Sequence, residues 1–400
     1  MPPPVAVSER RITMPQPLSW YEFFAGGGMA RLGLGKHWRC AFANEWCPKK
    51  ATAYRAHFGR CAELKQDDVA NVVARDLPGI ADMAWASFPC QDLSLAGMGA
   101  GLEGVSSGSF KPFWTLICRL AEEGRAPRII TLENVVGALT SHNGRDFETL
   151  LCSLTKTGYR AGAMVIDAIR FVPQSRPRIF IVAVREDAPI GANLRLKHPT
   201  PAWHPPALRK AYAALPEWIR SQWAWWNLPE PSGPIKKMSE LIEQEPVGVK
   251  WHSSEQTRTL LGIMSEVNRA KLHEVQAYGR PAIGTIYKRT RAGNDGTKIQ
   301  RAEVRFDEIS GCLRTPSGGS SRQTVLLVEG KKVRSRLLSP REAARLMGVP
   351  EHYPIPTNYN EAYHLFGDGL VVPAVAWLEK HLLRPLALSK DAQRITEYVA

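Results

Sequence analysis

The 400-residue sequence lacks several features that would place it in other protein classes. It contains no C-x-x-C pair, and its seven cysteines (Cys40, Cys47, Cys61, Cys90, Cys118, Cys152, Cys312) are odd in number. That argues against a zinc ribbon and against a disulfide framework, so reduced thiols and no bound metal are expected. No window approaches the roughly 18 uninterrupted apolar residues of a membrane span. The opening MPPPVAVSERR has no apolar stretch of the signal-peptide kind and reads as a disordered lead over 1–18. A cytoplasmic protein without a membrane partner is the expectation. Internal repeats and long low-complexity tracts are missing too.

Acid is in short supply. Against 52 Lys and Arg stand 38 Asp and Glu, a formal charge of +14 that points to a polyanionic partner. The excess is concentrated. Between Arg280 and Arg336 there are thirteen Lys or Arg and five acids, so this stretch alone carries +8. A solvated surface would look the same, and the chemistry elsewhere has to decide.

What is present begins with alternation. From Trp20 to about Arg185, short apolar runs (WYEFFAG, RCAFANE, ADMAWASFP, RIITLENV, IFIVAV) read as strands, with helical patterns such as 47–58 and 110–123 between them. Alternating strands and helices predict an α/β, doubly wound, mostly parallel sheet. Ligands of such sheets sit at the carboxyl ends of strands, and FAGGG, NEW, FPCQ and ENV each close one. After about residue 188 the texture changes. Nine prolines fall between Pro189 and Pro234 and five tryptophans between Trp203 and Trp226. This predicts a second, smaller, irregular domain in which the tryptophans form a local core rather than platforms for bases. Order returns at LLSPREAARLMGVP, where Ser339 caps a helix, Pro340 suits its first turn and Glu342 completes a capping box.

The chemistry follows from the strand ends. EFFAGGGMARLGLG (22–35) runs from strand through glycines into helix, bringing backbone close to a ligand. It has neither the G-x-G-x-x-G of dinucleotide sites nor the Gly-Lys-Ser/Thr of phosphate loops. Glu45 and Trp46 end the next strand, where a carboxylate can accept ribose hydroxyls and an indole can stack on adenine. QDDV (66–69) adds an acid for an adenine amino group. An adenosine cofactor without phosphates fits, which points to S-adenosylmethionine. Cys90 and Glu133 end two further strands. A thiolate beside a carboxylic acid suits alkylation of cytosine at C5, since addition at C6 with a proton given to N3 makes C5 nucleophilic.

With these stretches in order (FFAGGG, FPCQ, ENV, QSRPR, SPREAARLMGVP, FGDGLVVPAV), the sequence closely resembles the bacterial DNA (cytosine-5) methyltransferases over about 20–187 and 331–385. The resemblance implies a Rossmann-like catalytic domain at 19–187, a target recognition domain at 188–330 and a return segment at 331–400. It implies Cys90 as nucleophile with Pro89 shaping its turn, Glu133 on cytosine N3 and N4, Asn134 bracing that loop, and Arg176 and Arg178 facing the active site. Phe24, Ala25, Gly26, Gly28, Glu45, Trp46, Asp68, Val69 and Asp368 would line the cofactor pocket. Asp368 stands where the family usually has Asn. Gln91, Ser94, Gln174, Arg314 and Arg322 would meet DNA, and the glycine- and serine-rich stretch after Cys90 would be a mobile loop closing over it. The implied partners are duplex DNA, gripped with its target base rotated out, and a separate cognate restriction endonuclease, for a nucleoid-associated monomer. An RNA methyltransferase acting on tRNA and a non-catalytic DNA-binding module are the alternatives.

Overall fold

The computed structural model describes residues 17–89, 108–292, 297–314 and 322–389. Seven strands, β1 (Leu18–Phe23), β2 (Trp38–Asn44), β3 (Leu64–Lys65), β4 (Met83–Ala86), β5 (Ile129–Val135), β6 (Tyr159–Asp167) and β7 (Pro177–Arg185), form one sheet. Their order is β3-β2-β1-β4-β5-β7-β6. Strands β1 to β5 pair in parallel, and β7 alone runs antiparallel between β5 and β6. This is the doubly wound, mostly parallel α/β sheet expected from the alternation.

Both faces of the sheet are covered, which is why its strands are mostly apolar. Successive residues go to opposite layers: Trp20 and Trp85 join one core cluster, Tyr21 and Ala84 the other. Helices α1 (Met29–Leu34) and α2 (Pro48–Phe58) cover the first layer; α3 (Phe110–Glu122) and α4 (Arg145–Lys156) cover the second.

The proline- and tryptophan-rich stretch packs against the outer strand β6. Its elements are β8 (Arg195–Leu196), α5 (Pro206–Ala213), α6 (Glu217–Arg220) and β9 (Trp225–Trp226). Trp203 and Trp226 are fully buried, and Trp226 Nε1 donates to Val182 O at 3.2 Å. Gly162 makes this possible, because a Cβ there would lie 1.8 Å from Ala224 O. The tryptophans are thus packing residues, apart from the exposed Trp218.

A separate antiparallel sheet follows α7 (Met238–Leu241), α8 (Ser254–Gly262) and α9 (Glu266–Ala277). It holds β10 (Ala282–Ala292), β11 (Lys298–Arg305), β12 (Thr324–Glu329) and β13 (Lys332–Leu337) in the order β11-β10-β12-β13. Leu260, Met264 and Leu272 cover one face, against Ile286, Ala302, Val304, Leu326 and Val328.

The chain then returns to the large sheet through α10 (Pro340–Leu346), α11 (Tyr359–Asp368), α12 (Val372–Leu378) and α13 (Arg384–Leu388). The expected capping box is present: Ser339 Oγ accepts from Glu342 N–H at 3.1 Å, and Glu342 Oε2 accepts from Ser339 N–H at 2.7 Å. The same carboxylate holds the fully buried Arg336 at 2.6 Å, tying β13 to α10. None of the described helices is long and apolar enough to cross a membrane.

Candidate active site

Strand order reverses direction between β1 and β4, so a crevice opens at their carboxyl ends. Immediately past β1, Phe24 adopts φ 59°, a left-handed conformation that a bulky side chain takes only under constraint. Gly28 follows with φ 78°, and a Cβ there would lie 2.3 Å from the Phe58 ring. Ala25 is buried and its N–H donates to Asn44 O, tying the glycine turn to the end of β2.

Glu45 closes this corner. Its Oε2 accepts from Gly26 N–H at 2.7 Å and its Oε1 from Cys47 N–H at 2.8 Å. A carboxylate has about four acceptor positions. Each oxygen therefore keeps one for another donor, which is what two vicinal hydroxyls require. Trp46 beside it is 68% exposed, a flat aromatic face left uncovered. Asn44 Nδ2 donates to Asp67 O and holds the next turn close. There Val69 is buried, while the exposed Asp68 uses Oδ1 to cap Ala70 N–H. Asp368 reaches across from α11 to pair with Lys50 Nζ at 2.7 Å. Hydroxyl acceptors and an open aromatic face on one corner fit an adenosine group.

The other side of the crevice is built by β4, β5 and β7. Glu133 is buried near the end of β5, where Arg178 Nε lies 3.3 Å from its Oε1. Burial pushes the Glu133 carboxyl up, against the pull of Arg178 and Arg176 and a hydrogen bond from Ser87. Asn134 Nδ2 donates to Phe88 O at 3.1 Å and its Oδ1 accepts from Val135 N–H, so it braces the backbone leading into the exposed Pro89. Cys90, Gln91 and Ser94 lie outside the described residues, as does the stretch after them through residue 107.

The remaining expected residues divide. Arg176 is buried next to Arg178, its guanidinium bonded to the carbonyls of Leu313, Gly367 and Gly369. Gln174, expected at DNA, is fully buried; its amide donates to Leu346 O and accepts from Leu313 N–H. Arg314 is exposed, and Arg322 bonds Asn360 Oδ1. Three residues that the sequence did not signal join the crevice: Ser87, Lys50 and Cys312, the last with its Sγ 3.3 Å from Arg176 Nη1.

Comparison with known proteins decides the family. The family model for C-5 cytosine-specific DNA methylase matches residues 18–384. The chain belongs to this family. Among its relatives, Type II methyltransferase M.HhaI of Haemophilus parahaemolyticus is 25% identical over 90% of this chain and 93% of its own length. M.HpaII of Haemophilus parainfluenzae is 26% identical over 92% and 90%. The crystal structure of the Schizosaccharomyces pombe Dnmt2 methyltransferase shares the fold, with a TM-score of 0.55 at 16% identity, covering 94% of this chain and 99% of that one. The C-5 cytosine-specific methylase is an enzyme of DNA methylation, and family and fold imply use of S-adenosylmethionine.

Proposed function

We propose that this methylase transfers a methyl group to C5 of a flipped-out cytosine, within a specific duplex DNA sequence, through a covalent bond between Cys90 and cytosine C6. The observation that carries the reading is the pair Glu133 and Asn134 at the end of β5: a buried carboxyl held toward its neutral form, and an amide fixing the backbone two residues before Cys90. Bound S-adenosylmethionine supplies a methyl group made electrophilic by its sulfonium. Phe24, Ala25, Gly26, Gly28, Glu45, Trp46, Asp68 and Val69 hold the adenosine end of it, and Asp368 stays beside them through Lys50.

On the target side, the Cys90 thiolate adds to C6 while Glu133 gives a proton to N3 and accepts from the exocyclic amine. Electron density moves to C5, which bonds to the donor's methyl carbon as that carbon's bond to sulfur breaks. Loss of the C5 proton to water expels the thiolate, and the N3 proton returns to Glu133 as the aromatic ring is restored. Arg178 holds Glu133 and meets the flipped base, Arg176 completes the arginine pair, and Pro89 shapes the turn. Gln91, Ser94, Arg314 and Arg322 belong to the DNA side of the cleft.

The catalytic domain at 19–187, completed by 331–400, works with a target recognition domain at 188–330. There the excess of positive charge grips the phosphate backbone. The enzyme acts as a monomer in the cytoplasm, on the nucleoid, as the modification half of a restriction system; the Type II names of its relatives support this. Labelled methyl transfer to duplex DNA and to tRNA, side by side, tests the substrate, and duplex DNA is the expected acceptor. DNA carrying 5-fluorocytosine traps the enzyme covalently, and Cys90→Ala loses both trapping and turnover while still binding S-adenosylmethionine. Turnover by Cys90→Ala at the wild-type rate would overturn the covalent step.

A further inference from the structure

The end of α11 rests on the glycine turn that follows β1. A Cβ on Gly27 would lie 2.8 Å from Leu365 Cδ1, and one on Gly369 would lie 2.2 Å from Met29 Sδ. The Tyr353 hydroxyl donates to Gly27 O at 2.8 Å and secures the same contact from the loop before α11. On the other side, Arg176 Nη2 donates to Gly367 O and to Gly369 O, both at 2.8 Å. The residue between those two carbonyls is Asp368. Its backbone is thus fixed between the glycine turn with its Glu45 corner and the arginine pair of the active site. Those are the two places that a methyl donor has to join.

Lys50 meets Asp368 from the opposite wall. It lies in the first turn of α2, three residues after Cys47, whose N–H donates to Glu45 Oε1. Lys50 Nζ stands 2.7 Å from Asp368 Oδ2. The lysine side chain is 23% exposed and the aspartate 42%, so the cation is the covered member and the carboxylate faces outward. Burial works against the Lys50 ammonium, but Asp368, with Glu45 behind it, outweighs burial and holds the pKa above its ordinary value. Lys49 is engaged elsewhere, 2.9 Å from Glu361 Oε1. Both members of the Lys50–Asp368 pair are charged at neutral pH. Lys50 therefore cancels one of the two negative charges that Glu45 and Asp368 bring to this corner.

S-adenosylmethionine and the S-adenosylhomocysteine left after transfer share every group except the methyl on sulfur. The donor is a sulfonium cation at that atom, and the product is a neutral thioether. Acceptors for hydroxyls and an aromatic face cannot tell them apart, whereas the charge of the corner can. We propose that the Lys50–Asp368 pair determines how strongly this corner prefers the charged donor to the neutral product, Asp368 supplying the attraction and Lys50 tempering it. The inference rests on the reading of S-adenosylmethionine as cofactor given above.

The test is calorimetric titration of the full chain with each of the two ligands at low ionic strength, where exposed charges are least screened. It reads the ratio of the product Kd to the donor Kd. Asp368→Asn keeps the shape but leaves Lys50 without its anion, and the ratio falls about fivefold. Lys50→Met frees the carboxylate, and the ratio rises by a similar factor. The double variant returns the ratio to the wild-type value, and Lys50→Arg leaves it there. Wild-type protein that binds neither ligand sinks the cofactor reading and this inference with it. Binding of both ligands with the ratio unmoved in Asp368→Asn overturns the inference alone, because a purely structural pair weakens donor and product alike. So does a ratio that the two single variants move in the same direction. Asp368 is exposed, so Asp368→Asn decides the matter even where Lys50→Met fails to fold.

Discussion

Arg178 Nε lies 3.3 Å from Glu133 Oε1, reached diagonally across the antiparallel β5–β7 pair, in which Arg178 faces Val135 and Glu133 faces Phe180. The contact exists because β7 runs against its neighbours and returns its first residues to the end of β5. An arginine on a parallel strand at this place would begin at the far edge of the sheet. Replacing Arg178 by Met removes a charge-assisted partner from a buried carboxyl, and kcat is expected to fall about 100-fold or more. Single-turnover methylation measures it. The Glu133 carboxyl, with burial less opposed, is then pushed up further.

Trp46 and Gly28 separate binding from folding. Trp46 is 68% exposed, so Trp46→Ala leaves the melting temperature unchanged and weakens S-adenosylmethionine binding about 10-fold through the lost stacking surface. Gly28→Ala does the opposite first. A Cβ 2.3 Å from Phe58 at a positive φ costs about 2 kcal/mol or more in stability. Calorimetric titration alongside thermal melts distinguishes the two.

Beneath the glycine turn, Glu22 is buried with Tyr54 donating to its Oε2 at 3.0 Å, while its Oε1 has no hydrogen-bond partner among the described residues. Burial raises its pKa from 4.5 to about 8, against Tyr54 and Arg31. A folded-state value above the unfolded one means the contribution to stability is complete below about pH 4.5 and is lost as pH rises through about 8. Melting temperature is therefore expected to decline between about pH 4.5 and about pH 8, and Glu22→Gln flattens that decline. Equal slopes in the two proteins would contradict it.

On the antiparallel sheet, Arg289 and Arg301 sit directly opposite one another on β10 and β11. Like charges so placed destabilise a ladder. Glu303 pairs with Arg289 at 3.5 Å, and Arg301 has no partner among the described residues. A phosphate backbone would resolve the repulsion. Replacing both arginines by Gln is expected to weaken duplex binding and to reduce its log–log salt slope by about 2, close to one per phosphate contact. Fluorescence anisotropy across a salt series gives that slope, and the melting temperature does not drop.

The sequence made β1, β2, β4, β5 and β7 legible because each is an apolar run bounded by polar or glycine residues. It concealed β3, which is two residues long, and β6, where Arg160 and Gly162 break the run. Gly162 is there because the Ala224–Trp226 segment packs on it, a contact that no local pattern announces. At the site, Glu45, Trp46 and Glu133 were singled out by asking what stands at strand ends, and Asn134 by the family resemblance. Cys312 was not, because it follows an irregular segment and is set beside the arginines by bonds from Pro173, Ser175 and the Gln174 side chain, all distant in sequence. Gln174 shows the same limit from the other side. Its amide suits DNA on paper, but it joins Leu346 to Leu313.

Helix α12 lies on α1 across Gly33, where a Cβ would meet Val375 at 2.4 Å, and Trp38 Nε1 donates to Glu379 Oε1, 341 residues along the chain. A nascent polypeptide emerging from the ribosome must therefore keep the oily side of its earliest helix uncovered until its last helices are made. Synthesis stalled or cut short in the middle of the chain leaves that seam open, so such fragments are clients for chaperones and proteases. Two halves produced separately have a ready-made surface on which to reunite.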